Sequence, residues 1–258
     1  MNSAIPNVVG YTTYECTAGK WYLISAMFEK TGGGDVNLQD LVKGDARLVP
    51  GDNANDTSSP LIQYWNPTKN GVGGYEMFYF LNKAYDTGYK SHNNVWSKGK
   101  QGYDSSIALD VGRGFWFHPI ADCTITVAGQ VAEATKQKTV LAGKWNMIAN
   151  PYPCDFVING GKVDWLATGL VPGENANDSS SPLIQYWNPT KNGVGGYEMF
   201  YFLIKAYDTG YKSHNNVWSK GKQGYTADSF VPAGYGFWIY GTKAMFGDKD
   251  SIDINFSL

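Results

Sequence analysis

Charge is scarce in this chain. Asp, Glu, Lys and Arg make up 17% of its 258 residues and leave a formal net charge of −2. Lys and Arg nowhere cluster, so the one-sided basic footprint of a nucleic-acid binder is missing. Long apolar runs are missing as well; none approaches the ~18 residues that span a bilayer as a helix. Histidine occurs three times, which leaves little for imidazole-based catalysis. Met1-Asn2-Ser3-Ala4 leads into strand-like sequence with no charged segment followed by an apolar stretch. The chain therefore reads either as cytoplasmic or as a form from which a signal peptide has been removed.

Aromatics and glycine are plentiful instead, at 15% aromatic residues and 31 glycines. That balance describes a globular, turn-rich β protein and is the opposite of a disordered composition. The length suits two domains of about 130 residues, each burying roughly 65% of its extended surface.

The chain repeats itself, and this decides its organisation. Residues 53–103 align without a gap on 175–225, and only Thr57/Ser179 and Asn82/Ile204 differ. Gly112-Arg113-Gly114-Phe115-Trp116 matches Gly234-Tyr235-Gly236-Phe237-Trp238, and Ala18-Gly19-Lys20-Trp21 matches Ala142-Gly143-Lys144-Trp145. The expected architecture is all-β: two tandem β-sandwich-like units, residues 1–131 and 139–258, with at most one short helix each. The polar stretch 132–138 connects them.

Periodicity supports strands. Leu61–Trp65 and Tyr75–Phe80 flank a glycine-rich turn with Asn70-Gly71, a hairpin pattern, and Pro67 fits that turn because its φ is fixed. Thr124–Val127 and Ser251–Phe256 alternate as half-buried closing strands. Val36–Val42 and Lys162–Leu170 are each candidates for a short helix. Eight of the nine tryptophans form aligned pairs, Trp21/Trp145, Trp65/Trp187, Trp96/Trp218 and Trp116/Trp238. Trp21 and Trp116 read as core anchors. Trp65 and Trp96, beside turns, read as core or as exposed ligand platforms.

Enzymatic constellations are weak, and the chain reads as non-enzymatic. Thr57-Ser58-Ser59 and Ser179-Ser180-Ser181 lack a nucleophile elbow, and Gly71-Val72-Gly73-Gly74 opens no helix as a phosphate loop would. Asp56, Glu76 and Asp86 recur as Asp178, Glu198 and Asp208 and offer carboxylate pairs for glycoside hydrolysis, but two near-identical catalytic sites in one short chain are unusual. The loops at 52–56 and 174–178 carry oxygen ligands suited to Ca²⁺, without ordered calcium-loop spacing; Asn and Asp also favour plain turns. No cofactor is expected otherwise. Sequons stand at Asn55, Asn177 and Asn255.

Cys16 and Cys123 lie in the first and last strands of one unit and have no cysteine counterparts in the other, where Val140 and Met245 align. They form a candidate disulfide, which would imply an oxidising compartment. Cys154 is then left as a buried thiol or an intermolecular bridge.

Asn7-Val8-Val9-Gly10-Tyr11, Gly143 to Pro151, Gly112 to Trp116 and Thr124 to Val131 resemble, in kind and order, the motifs of exported bacterial tandem β-repeat proteins of uncharacterised activity. The likeness spans most of the chain apart from the aromatic blocks 53–103 and 175–225. It implies export and an extracellular or cell-surface location, and it supplies no catalytic residues.

Between the copies the core-forming flanks have drifted while a turn-rich block is almost unchanged, the reverse of the usual pattern. Gene conversion accounts for that without function; otherwise both copies are held to one surface. Lateral self-assembly into a filament or layer is the leading expectation. Ile204, Cys154 and the terminal strands Val8–Tyr14 and Ile252–Leu258 are its candidate contacts. The alternative is a bivalent glycan-binding module using Tyr64, Trp65, Trp96, Tyr186, Trp187 and Trp218. The partner is then the chain itself or a polysaccharide, with no nucleic acid and no membrane span.

Overall fold

The computed structural model describes residues 9–40, 48–55, 57–99, 102–177, 179–221 and 224–257. The first unit builds β1 (Val9–Cys16), β2 (Tyr22–Ala26), β3 (Val36–Asn37), β4 (Leu61–Asn66), β5 (Gly74–Tyr85), β6 (Ser91–Lys98), β7 (Ala108–Leu109), β8 (Arg113–His118) and β9 (Cys123–Gln130). The second repeats the set as β10 (Lys136–Leu141), β11 (Asn146–Ala149), β12 (Phe156–Val157), β13 (Leu183–Asn188), β14 (Gly196–Tyr207), β15 (Ser213–Lys220), β16 (Phe230–Val231), β17 (Gly236–Tyr240) and β18 (Ser251–Phe256). The protein is all-β, with two matching sandwich-like units.

In each unit five strands form an antiparallel sheet, in the order β2-β8-β4-β5-β6 or β11-β17-β13-β14-β15. The pairs β1–β9 and β3–β7, or β10–β18 and β12–β16, supply the second layer. Alternation explains the core: Cys123, Ile125 and Val127 of β9 are buried while Thr126 and Ala128 are exposed, the period of two that a strand imposes. Those side chains meet Ile24, Ile62, Phe80, Trp96 and Phe117 from the large sheet. The second unit repeats this with Ile184, Phe202, Trp218, Phe237 and Ile254.

Several expectations are corrected. Strand β10 starts at Lys136, so 136–138 belongs to the second unit and the connector is shorter than 132–138. Val36–Asn37 is a strand paired with Ala108–Leu109, not the start of a helix; residues 41–47 lie outside the described residues, as do Val8, Asp56, Asp178 and Leu258. The short helix expected at 162–170 is present, by contrast, as one turn, α1 (Trp165–Thr168), capped by Asp164, whose carboxylate accepts from the Ala167 N–H at 3.0 Å.

First and last strands are neighbours, and Cys16 stands opposite Cys123 in register. The counterpart pair is Val140 and Ile252, so Ile252 rather than Met245 takes the place of Cys123. Both sulfurs are buried thiols, and the expected disulfide is not formed. The Cys16 S–H instead donates to Tyr14 O at 3.5 Å. Cys154, expected as a buried thiol or an intermolecular bridge, is exposed, which overturns the first alternative and not the second.

The outer face of each large sheet is divided. Near β2 and β11 it packs on the other unit through Leu23, Trp116, Met147 and Trp238, with Trp21, Trp65, Trp145 and Trp187 around them. Contacts are reciprocal: Ser25 N–H donates to Gly234 O and Ala149 N–H to Gly112 O, both at 2.9 Å. Trp65 meets Trp238 at 5.4 Å and Trp116 meets Trp187 at 5.8 Å, both edge-on. This reciprocity makes a pseudo-twofold junction within one chain, the arrangement of a symmetric dimer interface. It also explains the paired Gly-x-Gly-Phe-Trp motifs. A Cβ on Gly114 would lie 3.1 Å from the Gly236 Cα, and one on Gly236 2.8 Å from the Gly114 Cα. Trp116 and Trp238 are therefore anchors between the units, not inside one.

Candidate functional site

Away from the junction the outer face of the second sheet is roofed by the loop that begins at Gly173. Gly173 N–H donates to Phe202 O and Ile204 N–H to Gly173 O, each at 2.9 Å, which ties the loop to β14. Asn177 Oδ1 then accepts from the Ser179 N–H at 3.1 Å and from the hydroxyls of Ser179 and Ser180 at 2.8 and 2.9 Å. This is an Asx-type turn, and in the other copy Asn55 Oδ1 likewise accepts from Thr57 and Ser58. The amide oxygens considered as calcium ligands are thus engaged within the loops. Among the described residues no three His, Cys, Asp or Glu side chains gather as a metal site.

Between this loop and the tip of the β14–β15 hairpin lies a groove of about 660 Å³, lined by Glu174, Asn175, Asn177, Lys205, Tyr207, Asp208 and Tyr211. The tip is built by Asp208. Its Oδ1 accepts from the N–H groups of Gly210 and Lys212 at 2.9 Å, and its Oδ2 lies 3.1 Å from His214 Nε2. The bond from His214, with the two backbone donors, holds the Asp208 carboxyl below its ordinary range. His214 in turn stacks on Tyr225, 3.8 Å between ring centres. Lys205 Nζ lies over the Tyr207 ring at 5.2 Å.

The hairpin loop Thr209-Gly210-Tyr211 carries its strain on the tyrosine. Tyr211 has φ 60° and Tyr89 φ 61°, the left-handed conformation that closes a three-residue hairpin loop and that glycine normally supplies. For an L residue it costs about 1–2 kcal/mol. Both rings stand in solvent, Tyr211 at 87% and Tyr89 at 84% exposure. In the first unit Asp86, His92 and Tyr103 repeat the support, with the same 3.1 and 3.8 Å spacings.

Every residue lining the groove recurs in the first unit with one change, Asp52 for Glu174. The change is coupled to another. Asn82 Nδ2 donates to Asp52 Oδ1 at 2.7 Å, whereas Ile204, at the place of Asn82, is 46% exposed. A shorter carboxylate goes with the amide that reaches it, and a longer one with an apolar neighbour.

The aromatic platforms expected from sequence lie elsewhere. Trp96 and Trp218 are fully buried in the two cores. Trp65 and Trp187 are half-buried in the junction, where the Trp65 Nε1–H donates to Trp145 O at 2.6 Å. Tyr186 is buried, and the Tyr64 ring is covered by the Arg113 guanidinium at 3.5 Å. None of the six stands clear in solvent as a platform would, because each belongs to a strand whose outer side packs on the other unit or whose inner side fills a core. The recurring acids are also committed: Glu76 pairs with Lys98 at 2.7 Å and Glu198 with Lys220 at 2.9 Å. The exposed tyrosines 85, 89, 207 and 211 were missed. Their signal was Asp-Thr-Gly-Tyr-Lys between two strand patterns, with tyrosine where the loop calls for glycine.

Comparison with protein-family models, with curated proteins and with solved structures gave no match. Among the described residues no helix is long and apolar enough to cross a membrane.

Proposed function

We propose that the chain is a bivalent carbohydrate-binding protein of the cell exterior whose two matching grooves hold one polysaccharide. The observation that carries this reading is the pair Tyr89 and Tyr211: exposed rings in a strained backbone conformation, present twice. Strain that folding does not require is retained where function uses it. An exposed tyrosine offers a flat apolar face to the C–H side of a sugar ring at low conformational cost. The Glu174 carboxylate, the Asn175 amide and the Lys205 ammonium, which line the same groove, suit hydroxyl groups. Two such sites in one chain raise retention by avidity, roughly 10²–10⁴-fold over one site. The extracellular location follows the resemblance to exported repeat proteins.

Retention on a panel of immobilised polysaccharides tests this. The wild-type chain is expected to be retained and released by soluble sugar, Tyr211→Ala alone to be retained weakly, and Tyr89→Ala with Tyr211→Ala not at all. Retention of the double variant would refute the grooves as the site.

Self-assembly is the second reading, favoured by β1, on which Val9 and Tyr11 are 68% and 75% exposed. Light scattering after size exclusion decides it: ordered oligomers that shrink on Val9→Lys or Ile204→Asn support assembly, and a monomer at high concentration rejects it. The outer edges β6 and β15 suit strand addition poorly, because Asn94 and Asn216 interrupt them at φ 52° and 53°.

A further inference from the structure

The pseudo-twofold relates two places beside the junction that ought to match and do not. On one side Tyr14 lies over Gly234, donating its hydroxyl to Gly234 O at 2.8 Å. There it packs edge-on against Tyr235, which packs likewise against Tyr186. Three tyrosines close that side. On the other side Lys138 takes the place of Tyr14, Arg113 that of Tyr235 and Tyr64 that of Tyr186, and Lys138 lies over Gly112 as Tyr14 lies over Gly234. Asp110 stands where the other side has Pro232. The result is an open cleft of about 610 Å³ at the junction, walled by Tyr64, Trp65, Asn66, Asp110, Arg113 and Lys138, with Glu76 at its wall neutralised by Lys98 at 2.7 Å.

The cations in this cleft are held at a cost. Burial lowers Arg113 to about 10 and lowers Lys138 as well, although Asp110 and Asp35 act in the opposite sense on the lysine. Arg113 is partly satisfied, through Nη2 to Trp65 O at 2.8 Å and a long 3.4 Å contact to Asp110. Lys138 feels Asp110 and Asp35 electrostatically, but among the described residues neither carboxylate closes a direct ion pair with its ammonium. Charges taken from water without a full set of partners are commonly less stable than a well-packed apolar replacement. The chain itself displays that replacement, in the same backbone setting, as the tyrosine trio.

We propose that this junction cleft binds a small hydroxylated carboxylate, with its carboxylate on Lys138 and Arg113 and its hydroxyls on Asp110 and Asn66. Clefts between domains are favoured ligand sites, and this one has an ordinary size for a small molecule. A ligand carboxylate gives the Lys138 ammonium the direct charge-assisted hydrogen bond that Asp110 and Asp35, acting on it from a distance, do not supply. Asp110 beside it favours a ligand that also donates hydrogen bonds, which separates a hydroxy acid from a plain anion. The site is distinct from the tyrosine grooves and does not depend on them.

The probe is D-glucuronate, titrated into the full-length chain by isothermal calorimetry and followed by backbone NMR, with D-glucose as the uncharged control. Saturable binding of glucuronate in roughly the millimolar range or tighter is expected, with shifts centred on Lys138 and Arg113 and none from glucose. Lys138→Gln should weaken it by at least about tenfold. Tyr89→Ala with Tyr211→Ala should leave it intact, which keeps this site's outcome apart from that of the grooves. Lys138→Tyr with Arg113→Tyr should raise the melting temperature and abolish binding. Absence of saturable binding, binding indifferent to Lys138→Gln, binding lost with the groove tyrosines, or a tyrosine pair that lowers the melting temperature would each overturn the proposal.

Discussion

The indoles of Trp65 and Trp238 meet edge to face across the junction, 5.4 Å between ring centres and 76° between planes. Trp187 and Trp116 repeat the contact from the other side at 5.8 Å and 72°. Aromatic pairs of this kind contribute about 0.5–1.5 kcal/mol each beyond the area they bury. Because each indole also fills space between two sheets, the halves are coupled through tryptophan rather than through their short connector. Trp65→Ala is expected to cost about 3 kcal/mol, and Trp65→Ala with Trp187→Ala less than twice that, since both act on one cluster. Urea unfolding followed by circular dichroism should show one transition for the parent and separate transitions for the double variant. A parent chain whose halves already unfold independently would contradict the coupling.

The loop roofing each groove rests on a glycine for a steric reason. A Cβ on Gly51 would lie 1.9 Å from Ser58 O, and one on Gly173 2.0 Å from Ser180 O. The obstacle is backbone, so no rotamer change relieves it. Gly51→Ala and Gly173→Ala are each expected to destabilise by at least about 2 kcal/mol and to open the groove of that unit alone. Thermal melts read the first effect. Residual retention on polysaccharide, through the untouched groove, reads the second.

Tyr89 and Tyr211 set function against stability, and the two separate experimentally. Tyr89→Gly and Tyr211→Gly relieve the left-handed strain and should each stabilise by up to about 1 kcal/mol, while polysaccharide retention falls. Tyr89→Asn and Tyr211→Asn, whose side chain tolerates the same backbone, should show the same signs with smaller gains. Loss of stability in the glycine variants would mean that the rings are structural.

How much of this was legible in the sequence depended on distance along the chain. The repeat, the β class and the Leu61–Phe80 hairpin came from local alternation and self-alignment, the neighbouring first and last strands from the way β units commonly close, and all of them are present. The function of the tryptophans was not legible, because Trp65 and Trp116 alternate in their strands as any half-buried residue does. Only the folded chain shows that the second apolar face is covered by the other unit. The exchange of Tyr14 and Tyr235 for Lys138 and Arg113 was hidden for the same reason: those positions lie in the drifted flanks and become equivalent only through the pseudo-twofold. Tyr89 and Tyr211 were legible in principle, since a tyrosine one place after Gly88 or Gly210 sits where the turn wants glycine.

Acid should unfold the chain from its hairpin tips and sheet edges, with one carboxylate acting in the opposite sense. The bonds from His92 and His214, then those from the backbone, hold Asp86 and Asp208 below the usual carboxylate range, and the Lys98 bond does the same for Glu76. A group whose folded value is depressed contributes stability above its unfolded value, near 4 for these acids, and loses it as the pH falls through the folded value. The melting temperature should therefore be level between about pH 7 and pH 5 and drop below about pH 4. Asp86→Asn with Asp208→Asn should make that drop shallower. Asp110 is shifted the other way, raised first by burial and further by Asp35; its stabilising share is present at low pH and is lost as the pH rises through its folded value. Asp110→Asn should then raise the melting temperature more at pH 7 than at pH 3. If both sets of variants moved the pH profile in the same direction, the two environments would not differ as the geometry requires.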